Sequence, residues 1–147
     1  MRKQIICIDP GKTGGWAYYD TDEVVQAEKM PPTMPEIADR LRELAVSHQN
    51  IHCVMEKVGF HVQGNAASSS AKFARHCGHL EAILYCMGIP TTQVTPQKWM
   101  KKLGALPKEK KDRKNKIKEI AATRFPHLKV TLGTADALGM LITEVDK

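Results

Sequence analysis

The sequence predicts an α/β fold, a mixed five-stranded sheet flanked by helices, and three observations carry that reading. Short apolar runs at residues 3–9 and 51–56 have the length of strands, and each ends in a carboxylate. Other segments place apolar residues at helical spacing, so that helices alternate with strands along much of the chain. With 147 residues, 42% hydrophobic and 26% charged, the chain suits one domain over residues 1–147 with an ordinary apolar core.

Residues 3–9 (KQIICID) read as a buried strand, because the apolar run is bounded by charge on one side and by Pro10 and Gly11 on the other. Residues 16–20 and 24–29 follow as two strands joined by a polar turn around Thr21, an antiparallel meander. Pro31, Pro32 and Pro35 end the sheet pattern, and Ile37, Leu41, Leu44 and Ala45 share one face of a first helix. The strand at 51–56 (IHCVME) comes after that helix, and a right-handed crossover makes it the parallel neighbour of the first strand.

A loop over 58–69 leads into a long helix, in which Phe73, Cys77, Leu80, Leu84 and Met87 keep a spacing of three and four until Gly88 stops it. Residues 91–94 form the fifth strand. Thr95 and Pro96 pair an N-cap with a first-turn proline, which starts a short helix through Trp99 to about Lys102. The lysine-rich stretch 108–118 reads as a loop leading into a helix that carries Ile117, Ile120 and Ala121 and ends near Pro126. Leu138, Leu141, Ile142 and Val145 mark a last helix, with Thr134 as its N-cap.

Composition narrows the function classes. The excess of 22 lysines and arginines over 16 acidic residues, a net +6, favours a polyanionic partner, and nucleic acid leads. The longest apolar stretch, residues 82–89, is far short of the ~20 residues of a membrane span. A cytoplasmic, untargeted protein is expected. The four cysteines form no C-x-x-C pair and read as reduced, buried and without catalytic work.

Three acids stand where chemistry can use them. Asp9 ends the first strand in IDPGKTGGW and Glu56 ends the fourth in VMEKV. Neighbouring strands lie about 4.8 Å apart, so these carboxylates can converge at one sheet edge. Asp136, in GTADALGM, is expected in the first turn of the last helix, where the dipole favours an anion. Carboxylates gathered from distant segments suit magnesium, which takes hard oxygen ligands and keeps positions open for phosphate oxygens. The competing reading is that each acid is only a strand-end or cap residue. Two other motifs are excluded: GKT at 11–13 lacks the earlier glycine of a Walker A loop, because Ile6 stands there, and an actin-like kinase needs two such domains.

Taken in order, IDPG-x-TGGWA around Asp9, MEKV around Glu56, the Phe60, Asn65 and Ser68 spacing, the long helix with Gly78 and Ala82, and ADAL at 135–138 resemble the RuvC family of Holliday junction resolvases. The short bacteriophage-type members are most similar. The resemblance spans nearly the whole chain and implies a ribonuclease H-like fold, a homodimer, and nicking of four-way junctions, forks and other branched DNA with Mg2+ or Mn2+. It implies that Asp9, Glu56 and Asp136 are catalytic metal ligands, that Lys114 lies near the cut phosphate, and that Phe60 presses on junction bases. The host compartment it implies is the cytoplasm of a bacterium or a phage-infected cell. One departure stands out: the family usually carries an acid or histidine three residues before the last aspartate, where this chain has Gly133, and His127, Lys129 and Glu144 do not sit at that spacing.

The remaining candidates have two readings each. Asn65 and Ser68, and the cations Lys101, Lys110, Lys111, Arg113 and Lys114, can contact DNA, whereas a lysine run can also be only a solvated face. Phe60 is either a wedge between bases or an anchor of its loop. Trp99 reads as core, and His76, Cys77 and His79 do not converge as a zinc site requires. A catalytically weak or inactive protein that binds branched DNA is the alternative function, suggested by Gly133 and the basic charge.

Overall fold

In the computed structural model, residues 4–48, 50–59 and 66–147 are described. Their strands are β1 (Gln4–Asp9), β2 (Gly15–Tyr19), β3 (Val25–Lys29), β4 (Ile51–Glu56) and β5 (Thr91–Val94). They form one sheet in the order β3-β2-β1-β4-β5. The first three run as an antiparallel meander, and β4 and β5 join parallel to β1. The helices are α1 (Met34–Ser47), α2 (Ala67–Cys86), α3 (Pro96–Leu103), α4 (Lys110–Arg124) and α5 (Leu132–Val145). This is the mixed, helix-flanked sheet that the sequence predicts.

Alternation along the strands divides the core in two. Ile6 and Ile8 of β1 pack with Trp16, Tyr18, Cys53 and Met55 beneath α1 and α2. Cys7, Ala17, Tyr19 and Val54 face the other way, against α3, α4 and α5. β1 is covered on both faces, which is why it reads as a continuous apolar run instead of an alternating one. α5 lies across its face with residues Ala137 to Thr143 all buried, so it is apolar nearly all round. On the opposite side, Arg40 of α1 donates to Glu28 of β3, whose carboxylate also accepts from the Trp16 indole and the Tyr18 hydroxyl.

Three local expectations change. The lysine-rich segment is helical from Lys110 onward, because lysine and arginine are good helix formers and Ile117 and Ala121 dock the helix onto the core. α2 likewise begins at Ala67, before the end of the expected loop. The N-cap of α5 is Thr131, and Thr134 is the third helical residue, its hydroxyl accepting the Thr131 N–H at 3.2 Å. Cys7, Cys53 and Cys77 are buried free thiols as expected, whereas Cys86 is exposed on the outer face of α2.

Candidate metal centre

Register and parity bring the first two acids together. β1 and β4 are parallel with Ile8 opposite Met55, so Asp9 and Glu56 are the next pair along. Cys7 and Val54, two residues earlier on each strand, face α5, and side chains two apart on a strand share a face. Both carboxylates therefore end on the α5 side of the sheet. α5 crosses there and adds Asp136, and one carboxylate oxygen from each residue lies within 4.8 Å of the others. Asp136 is the fifth residue of its helix, past the first turn, so packing of α5 on the sheet positions it and the helix dipole does not.

Three carboxyl groups this close disfavour their own ionisation. Burial, followed by the charges of Glu56 and Asp136, raises Asp9 from 3.8 to about 8. Burial also raises Glu56 from 4.5 to about 7, against the opposing effect of a hydrogen bond from Trp99. Asp136 is raised too, by burial, with Lys114 and Arg113 pulling the other way. The positive charge of Lys114 lowers all three. A divalent cation resolves this crowding, and an all-oxygen, partly open donor set is what Mg2+ and Mn2+ take, so the residues fit the group.

Sequence reading missed a fourth participant. Trp99 is buried, as expected for core, but its Nε1–H also donates to Glu56 Oε2 at 2.6 Å. One oxygen of Glu56 is thereby tied to the protein. The indole sits against Gly139 of α5, where a Cβ would come 2.8 Å from the ring, so a glycine there is what lets Trp99 in. The available signal was chemical: a buried tryptophan needs a partner for its N–H.

The other described sequence candidates sit on α2, α3 and α4. Lys114 is on the exposed side of α4 with its charge felt by each carboxylate. Lys110 and Lys111 are exposed in the first turn of α4. Lys101 of α3 and Arg113 of α4 border a shallow groove of about 440 Å³, and Arg113 donates to the Lys108 carbonyl at 2.9 Å. Ser68 is exposed in the first turn of α2. Phe60 and Asn65 lie outside the described residues.

Among the described residues no further histidine, cysteine, aspartate or glutamate joins the three acids, and His76, Cys77 and His79 form no metal group. The His127 ring bonds the Val25 carbonyl and Glu144 pairs with Lys147. At Gly133 the start of α5 presses on the turn after β1: a Cβ there would stand 3.2 Å from the Thr13 carbonyl oxygen, and one on Gly15 would stand 3.1 Å from the Gly133 carbonyl oxygen. An acid at this position would meet carbonyl oxygens at close range, which gives a physical reason for its absence.

No family model matches the sequence, and no curated protein matches it. Solved structures do. A Thermus thermophilus RuvC structure in complex with a Holliday junction substrate aligns over 97% of this chain and 92% of its own, with TM-score 0.63 and 16% identity. A second Thermus thermophilus RuvC structure aligns over 97% and 93%, with TM-score 0.58 and 18% identity. At that identity the likeness is one of fold, and over nearly its whole length this chain has the ribonuclease H-like fold of the RuvC structures.

Proposed function

We propose that residues 1–147 are one nuclease domain that nicks Holliday junctions, forks and other branched DNA by metal-dependent phosphodiester hydrolysis. The observation that carries this reading is the convergence of Asp9, Glu56 and Asp136 at one end of a RuvC-like sheet. Mg2+ or Mn2+ held by these residues, when bound, supplies Lewis acidity toward phosphodiester oxygens and activates water for attack. The chain's own residues do the rest: Trp99 keeps Glu56 in one orientation, and Lys114 offers a cation beside the cut phosphate. Lys101, Lys110, Lys111 and Arg113 hold flanking phosphates, while Asn65 and Ser68 contact the strand and Phe60 stacks on exposed bases.

The enzyme acts as a homodimer, since two nicks across a junction need two sites. Gly78, Ala82 and Tyr85 share an exposed face in the second half of α2 suited to close helix packing, and Tyr85 is 86% exposed. The place of action is the cytoplasm of a bacterium or a phage-infected cell, and no described helix is long and apolar enough to cross a membrane. Incubation with labelled junction, fork and linear duplex, in Mg2+, Mn2+ or chelator, tests the reading. Paired nicks near the branch that need metal and disappear in Glu56→Gln support it. Tight junction binding without nicks under any metal identifies an inactive binder, which the missing acid at Gly133 favours, and cutting that ignores branching overturns the substrate class.

A further inference from the structure

Lys101, Lys110, Lys111, Arg113 and Lys114 belong to α3 and α4. A second group lies on the opposite side of the sheet. There the turn after β1, the approach to α1 and the first half of α2 enclose a groove of about 620 Å³. Lys12 stands on one wall, three residues after Asp9, and Lys72 and Arg75 stand on the other. Phe73 closes its end against Gly11, whose φ of +120° carries the turn in a conformation open to glycine.

Four observations give this groove a ligand class. Its three strong cations have no acidic partner: the ion pairs among the described residues involve Arg40, Arg42, Lys116, Arg124 and Lys147 instead. Glu36, the acid nearest the start of α1, is turned back onto its own cap, accepting from the Thr33 hydroxyl. Ser69, Lys72, His76 and His79 recur at spacings of three and four, so donors and cations form one stripe along α2. His76 Nε2 is buried without a hydrogen-bond partner among the described residues, the kind of orphan that a polar ligand satisfies. From Lys72 to His79 the stripe rises ~10 Å, enough to follow a short stretch of one sugar-phosphate backbone.

Resting on the endonuclease reading, we infer that this groove binds the phosphodiester backbone of a DNA arm on the α2 side of the catalytic carboxylates. The active site then lies between two cationic banks, Lys12 with α2 on one side and α3 with α4 on the other. A straight duplex engages one bank, whereas a branched molecule reaches both. That difference supplies selection by shape without reading sequence.

The test measures binding of the whole protein to a four-way junction and to a linear duplex across a range of salt, in chelator so that nothing is cut. Lys12→Gln/Lys72→Gln/Arg75→Gln is expected to weaken junction binding about tenfold or more and to reduce its salt slope by about 2 to 3, near 0.9 for each lost phosphate contact. Duplex binding should change much less. Lys12→Arg/Lys72→Arg, which keeps the charge, should retain the junction affinity and confirms that the site tolerates substitution. Unchanged affinity and slope in the folded triple variant overturn the groove while leaving the endonuclease reading intact. A change in oligomeric state that accounts for the lost binding also overturns it, because the residues would then serve the dimer. If the unsubstituted protein binds neither DNA, both readings fall.

Discussion

Neutralising Asp9 should stabilise the metal-free protein at alkaline pH while removing its response to metal. Asp9 has an ordinary value of 3.8 and is raised to about 8 by burial and by the neighbouring carboxylates. A folded-state value above the unfolded one means that the folded chain holds the proton more tightly, so the associated stability is fully present below pH 3.8 and is lost as pH rises through about 8. Each pH unit corresponds to ~1.4 kcal/mol, which sets a ceiling of ~6 kcal/mol for the whole span. Relaxation of the carboxylates and entry of water reduce this, and about 3 kcal/mol is the working expectation. For a chain of this size that amounts to about 6–12 °C in Tm.

Asp9→Asn cannot ionise, so in chelator its Tm should match the unsubstituted protein in acid and exceed it progressively toward pH 8. Adding Mg2+ or Mn2+ should reverse the order, because a ligand at about 100 times its Kd stabilises the intact site by ~2.7 kcal/mol and the variant lacks a donor. Thermal melts at several pH values, with chelator and with each metal, give the comparison directly. A Tm for Asp9→Asn equal to or below that of the unsubstituted protein in alkaline chelator would refute the electrostatic argument. The same metal-induced shift in both proteins would refute the assignment of Asp9 as a ligand.

Trp99→Phe keeps the ring in the core but removes the 2.6 Å bond to Glu56, so Mn2+ affinity measured by calorimetry should fall about 10- to 100-fold; an unchanged affinity rejects a positioning role. Gly133→Asp should lower Tm and leave the metal requirement where it is, since its side chain would start 3.2 Å from the Thr13 carbonyl oxygen; a lower metal concentration for half-maximal cleavage would show that a fourth ligand fits after all. Neutralising Lys101, Lys110, Lys111, Arg113 and Lys114 together should weaken binding to every DNA and flatten the salt dependence by about 0.9 per contact, whereas Lys114→Ala alone should reduce cleavage more than binding. An unchanged salt slope in the multiple variant would return that helix to a solvated face.

The strands were legible because their signals are local. An apolar run of strand length ending in a carboxylate located β1 and β4, and β4 and β5 have the bounds that the sequence predicts. Parallel pairing of β1 with β4 follows from the intervening helix, and that pairing makes Asp9 and Glu56 neighbours. Helix starts were less legible. Thr131 and Thr134 are both good caps, and the choice depends on where α5 meets the sheet. A lysine-rich segment becomes α4 because two of its residues, Ile117 and Ala121, find the core, a gain that a local window does not contain.

The site divides along the same line. Residue type and strand position singled out three acids, but only tertiary packing decided that α5 would bring Asp136 within 4.8 Å of the other two. The same packing decided that Trp99 would reach Glu56 through the gap at Gly139, and that Gly133 would abut a carbonyl. Lys12 and Lys72 are 60 positions apart, and they share a groove only because α2 folds back over the turn after β1. Composition could report the excess of positive charge, but a charge has no address until the chain closes around it. The elements and the chemistry available to them depend on neighbours along the chain, so a local pattern records them. Which groups meet depends on packing between distant segments, and that becomes visible only in the folded chain.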